Sequence, residues 1–140
     1  MQNTENKLSF QKSLLARLTV LLVEDEPDMA ELLTFILERN GARVILAGSA
    51  TEALSRLEQR RPDVLISNVK LPEKDGSWLI EQIRQVEGAW RELPAIAVTS
   101  YTRRFDAEEA LRAGFHCFLS KPLDPDELVQ EILRLVGQKH

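Results

Sequence analysis

The chain has 140 residues, 44 % of them apolar and 29 % charged, with one cysteine and a formal net charge of −4. That length fits one domain around one core, and the acidic balance argues against a general nucleic-acid binder, which needs a basic face. No apolar run approaches the ~18 residues of a membrane span, the first residues lack the apolar stretch and small-residue cleavage site of a signal peptide, and the lone Cys117 rules out an internal disulfide framework and suits a reducing, cytoplasmic setting.

Residues 1–17 are polar and irregular, with scattered Leu8, Phe10, Leu14 and Leu15, and read as a flexible lead-in. The folded unit is expected over 18–137. "TVLLVE" (19–24) is a short continuous apolar run, the mark of a strand buried on both faces. Met29, Leu32, Leu33, Ile36 and Leu37 then recur at helical spacing, with Pro27 suited to the first turn and Asn40-Gly41 to the end. "ARVILA" (42–47) is a second strand, and Ser49 with Glu52 forms a capping box ahead of a helix that turns Ala53, Leu54 and Leu57 inward. Pro62 stops that helix before the strand "DVLIS" (63–67). A loop with Pro72 leads to a third helix marked by Leu79, Ile80, Ile83 and Val86, and "PAIAVTS" (94–100) is the fourth strand. Residues 103–113 read as helix with Phe105, Ala110 and Leu111 inward, and Gly114 ends it. "HCFLS" (116–120) is the fifth strand, with Cys117 expected as a buried, inert thiol. Asp124-Pro125-Asp126-Glu127 starts a last helix with an acidic cap, and Leu128, Ile132, Leu135 and Val136 form its inner stripe.

Five strands alternating with five helices imply an α/β fold: a parallel sheet, right-handed crossovers, and helices on both faces. In such sheets ligands bind beyond the carboxyl ends of the strands. The residues placed there are Glu24-Asp25-Glu26, Gly48, Asn68, Thr99-Ser100 and Lys121-Pro122. Together they offer clustered acids for a hard cation such as Mg²⁺, and a lysine and a hydroxyl for phosphoryl oxygens. A nucleophile is missing, because Asn68 carries an amide. No phosphate-binding glycine loop and no Ser-His-Asp arrangement is present, and His116 and His140 lack neighbours at metal-ligand spacing.

The motifs "LLVEDEP", "PDVLISNVKLPEKDG", "AIAVTSY", "LRAGFHCFLSKP" and "PDELVQEI", in order and each at the end of the appropriate strand, resemble a response-regulator receiver domain, the phosphoacceptor module of two-component signalling. The resemblance covers about residues 18–137 and implies a flavodoxin-like five-stranded sheet of order 2-1-3-4-5. It implies that Glu24 and Asp25 hold Mg²⁺, aided by the Lys70 backbone carbonyl and by Asn68 through its amide oxygen. It casts Thr99 as the switch hydroxyl, Phe118 as the aromatic switch and Lys121 as the lysine that meets a phosphoryl oxygen, with a cis Lys121–Pro122 bond. Lys70 could instead swing over Glu24 or Asp25 and stand in for the metal, and Tyr101 could gate the pocket.

Asn68 stands where the family has its acceptor aspartate. An amide has no anionic oxygen to attack phosphorus, and its neutrality should weaken Mg²⁺ binding, even to the point of absence. Three explanations fit: a natural pseudo-receiver, an active receiver with an engineered Asp-to-Asn block at 68, or chemistry on another side chain. The expected role is that of a signalling module in a two-component phosphorelay, not an enzyme, which acts by protein contact. Expected partners are a sensor histidine kinase, a phosphotransfer protein or another signalling protein. A homodimer through the face of the fourth helix, fifth strand and fifth helix is also expected, with Arg103, Arg104, Asp106, Glu109, Arg112 and Lys121 as exposed candidates and Trp90 as a lesser contact. The chain reads as a stand-alone regulator or as a module cut from a larger protein.

Overall fold

The computed structural model describes residues 14–86, 88–100 and 107–137. Within them run β1 (Thr19–Val23), α1 (Pro27–Arg39), β2 (Arg43–Ala47), α2 (Ala50–Gln59), β3 (Val64–Asn68), α3 (Gly76–Gln85), a 3₁₀ turn (Ala89–Glu92), β4 (Ala95–Ser100), α4 (Ala107–Ala113), β5 (Cys117–Lys121) and α5 (Pro125–Gly137). The sheet is parallel throughout, in the order β2-β1-β3-β4-β5, so the expected fold class is the observed one.

The sheet separates two apolar layers. One, beneath α2, α3 and α4, holds Leu21, Val23, Leu57, Leu65, Leu79, Ile80, Ile83 and Phe115. The other, beneath α1 and α5, holds Val20, Leu22, Leu33, Leu37, Val64, Ile66, Ile96, Leu128 and Ile132. The central strand β3 is buried at every position, which explains why Val64, Leu65 and Ile66 run apolar without alternation. Local signals act as expected at the helix starts. Ser49 Oγ accepts from Glu52 N at 3.1 Å, and Glu52 Oε1 accepts from Gly48 N at 2.6 Å; such a cap contributes about 1 kcal/mol. Asp75 Oδ1 accepts from Trp78 N at 2.8 Å and caps α3.

Several expectations are corrected. Leu15, assigned to the lead-in, is wholly buried in the α1–α5 layer, and its N–H donates to Asn40 O at 2.8 Å. Leu14 packs against the same layer, so ordered structure starts before residue 18. Residues 1–13 lie outside the described residues. Leu32 is 50 % exposed and Leu111 is 57 % exposed: each sits at the edge of its helix's apolar arc, while Leu33 and Ala110 hold the inner positions. Val86 is also exposed, because α3 ends one residue before it. Residues 103–106 of the fourth helix prediction lie outside the described residues.

Candidate functional site

The strand register brings the site together. Val23 of β1 pairs with Ser67 of β3, so Glu24 and Asn68 are the next residues along on adjacent strands. Asn68 pairs with Val98, which puts Thr99 one step beyond, and Ser100 pairs with Lys121. Side chains distant in sequence therefore meet at the carboxyl edge of the sheet.

Glu24 is the centre of this edge. It is 3 % exposed, and a carboxylate so placed requires partners. Lys121 Nζ donates to its Oε1 at 3.1 Å. Asn68 Nδ2 donates to its Oε2 at 3.0 Å, and the Glu26 N–H reaches the same oxygen at 3.2 Å. The Asn68 orientation follows from chemistry: an ionised carboxylate only accepts, so the amide must present its NH₂. Asn68 and Thr99 are buried. Ser67 Oγ donates to the Asn68 carbonyl at 2.9 Å, fixing the strand end from behind. Phe118 is half-buried against the α2–α4 layer. The Lys121–Pro122 bond is cis, as the resemblance implies.

One structural support was not legible beforehand. A Cβ built on Gly76 would lie 2.5 Å from the Asn68 carbonyl oxygen and 2.9 Å from Val69 Cα. Gly76 N also donates to Val69 O at 2.7 Å. The first turn of α3 thus rests directly on the backbone that carries Asn68, an approach open only to glycine. The glycine after Asp75 was visible in the sequence as a turn, but its contact was not.

The side chain of Asp25 is exposed, as is that of Lys70, in keeping with a solvated lysine at the rim, and the cation on Glu24 is Lys121. Lys121 itself, expected on the exposed contact face, has a side chain only 12 % exposed, because the pair with Glu24 draws it into the pocket. Of that face's other candidates, Arg112 is exposed and pairs with Glu108 at 3.5 Å, Glu109 is half-buried, and Arg103, Arg104 and Asp106 lie outside the described residues, as do Tyr101 and His140. Cys117 is half-buried rather than buried; its thiol contacts Glu131 Oε1 at 3.4 Å. Burial first, and the Glu131 carboxylate second, push that thiol up to about 11, which makes it unreactive near neutrality.

At the opposite edge, Arg84 ties α3 to its neighbours, a role missed from sequence. Its Nε donates to Gly114 O at 3.0 Å, and Nη1 donates to the Trp90 and Arg91 carbonyls at 3.2 Å each. His116 Nδ1 accepts from Ala95 N at 3.1 Å and lies 3.4 Å from Arg84 Nη2. Trp90 is half-buried and lines a shallow groove with Leu54, Leu57, Ile83 and Val86.

The residues present do not fit the divalent cation that the resemblance implies, as they are arranged. Both oxygens of Glu24 are engaged, Asn68 turns its NH₂ toward the carboxylate, and Asp25 points to solvent. Among the described residues no cluster of three or more His, Cys, Asp or Glu side chains is placed to hold a metal.

A parallel five-stranded sheet with a buried acid, an amide, a hydroxyl and a lysine at its carboxyl edge defines a receiver-type module. The response regulator receiver domain pattern matches residues 20–133, and the chain belongs to that family, the receiver domains of two-component systems. It is 48 % identical over 124 residues to an uncharacterised 14.6 kDa protein of Leptolyngbya boryana, with 89 % of this chain and 91 % of that one covered. It is 33 % identical to the response regulator Rre1 of a Synechocystis strain over 87 % of this chain, but spans only 53 % of that protein's length. Among solved structures, the receiver domain of a sensor histidine kinase from Pseudomonas aeruginosa, with a magnesium ion coordinated in its active-site cleft, is similar with a TM-score of 0.80 and 33 % identity, covering 87 % of this chain and 99 % of that one. Among the described residues no helix is long and apolar enough to cross a membrane.

Proposed function

We propose that this receiver domain does not take up a phosphoryl group and acts in its pathway by protein contact alone. The observation that supports this most is the state of Asn68. It occupies the end of β3, is buried, and spends its NH₂ on Glu24. Acyl-phosphate formation needs a carboxylate oxygen free to attack, and an amide tied to a neighbouring acid supplies none. Thr99, Phe118 and Lys121 retain the family's residue types, so the fold keeps the parts of a switch without the group that would throw it. On this reading the balance of conformations is set by the sequence and by whichever partner binds, because a ligand shifts an equilibrium only through differential affinity. A sensor histidine kinase or a phosphotransfer protein is the class of partner that this reading implies, and one similar solved structure is itself the receiver domain of a sensor histidine kinase.

The test is intact mass after incubation with Mg²⁺ and acetyl phosphate, beside an Asn68→Asp variant. The expected result is no added phosphoryl group on the parent chain and one on the variant. A phosphoryl group on the parent chain would overturn the proposal. Failure of both would keep the proposal and show that more than the nucleophile has been lost.

A further inference from the structure

We propose that Lys121 is the built-in counter-cation of this pocket, and that the folded chain excludes a divalent metal from Glu24 instead of recruiting one. The inference rests on the reading of Asn68 as a neutral residue that accepts no phosphoryl group, and it extends that reading to the metal.

Charge is the first argument. Among the described residues at this edge, the least exposed charged side chains are Glu24 and Lys121, one of each sign, 3.1 Å apart, with side-chain exposures of 1 % and 12 %. With Asn68 neutral, the pair sums to zero. A divalent cation arriving there would add two positive charges beside an ammonium, and the acids next to Glu24, Asp25 and Glu26, are exposed to solvent. Coordination is the second argument. Glu24 accepts from three donors: the ammonium on one oxygen, the Asn68 amide and the Glu26 N–H on the other. A metal on Oε2 would displace the Asn68 amide or the Glu26 N–H, and one on the remaining lone pair of Oε1 would sit directly against the Lys121 ammonium. Position is the third argument. Lys121 closes β5, while Glu24 follows β1, so this one contact links the two strand ends across the intervening β3 and β4. A lysine holding that bridge fixes the start of the β5–α5 connection without any ion.

The experiment is thermal unfolding and calorimetric titration with Mg²⁺ alone, each against NaCl of matched ionic strength. It uses the full chain and two variants, Lys121→Met and Lys121→Gln; Gln keeps a hydrogen-bond donor and serves if Met does not fold. The parent is expected to show no Mg²⁺ heat and no change in melting temperature. The neutral variant should melt lower without metal and gain about 4 °C in about 10 mM Mg²⁺, the shift that a millimolar site produces in a domain of this size. An equal gain in the parent would overturn the proposal, as would a folded neutral variant that ignores Mg²⁺. Neither outcome touches the mass measurement above, so failure of the counter-cation reading is distinguishable from failure of the phosphoryl reading.

Discussion

Replacing Asn68 by Asp should place a carboxylate nucleophile at the end of β3 and at the same time destabilise the metal-free fold. The amide nitrogen lies 3.0 Å from Glu24 Oε2 and donates to it. The substitution removes a hydrogen bond to a charged group, about 1.5–3 kcal/mol, and places a second anion against the first. Even if the two carboxylates relax to ~4 Å, their repulsion at an effective dielectric constant of ~20 is about 4 kcal/mol. Lys121, already on the other oxygen of Glu24, offsets part of this. The net loss expected is about 2–4 kcal/mol, or a melting temperature lower by about 10 °C. Urea denaturation of parent and variant in EDTA measures it, and repetition in Mg²⁺ should recover part of the loss in the variant only, because the added carboxylate supplies the charge and oxygen ligand that the parent lacks. A variant as stable as the parent in EDTA would refute the adjacency of Glu24 and residue 68 on which the site rests.

Two further outcomes follow from the same geometry. Gly76→Ala should cost about 2–3 kcal/mol in urea denaturation, since its new methyl meets backbone atoms at 2.5 and 2.9 Å that cannot move aside cheaply; a change within ~0.5 kcal/mol would show that the β3–α3 loop yields freely. His116 titrates below its ordinary 6.5, first through burial and then through Arg84 and Arg134. Its Nδ1 must stay unprotonated to accept from Ala95 N. The unfolded chain therefore binds a proton at higher pH than the folded one, so His116 contributes stability above about pH 6.5 that is lost as pH falls through the folded value. Melting temperatures across that range should slope less steeply in His116→Gln; an unchanged slope would refute the assignment.

Much of the fold was legible because its signals are local. The apolar run at 64–66, the capping box at Ser49 and Glu52, and the acid–proline start at Asp124–Pro125 each act within one turn or one strand. The site residues Glu24, Asn68, Thr99 and Lys121 were legible for a topological reason: in an alternating α/β chain, the residue after each strand must fall on one edge of the sheet. Helix faces were less legible. Spacing put Leu32 and Leu111 inside, but both are exposed, because an arc of apolar residues wider than the sheet beneath it leaves its edge positions in solvent. Leu15 was missed for the opposite reason. Its polar surroundings suggest a tail, and only the packed layer shows the apolar place it fills.

The sequence by itself determined the alternation of strands and helices, the helix starts, the set of side chains at the carboxyl edge, and an amide in place of a carboxylate at 68, since each depends on near neighbours or on alternation along the chain, while the strand order was implied only by the family resemblance and is set by which strands pair. Tertiary structure alone decided that Lys121 and not Lys70 takes Glu24, that Asn68 turns its NH₂ to the same acid, and that Gly76 touches the backbone beneath it. Those choices depend on which groups are deprived of water together. A buried carboxylate takes whichever donors the sheet brings within about 3 Å, and their separation along the chain does not enter.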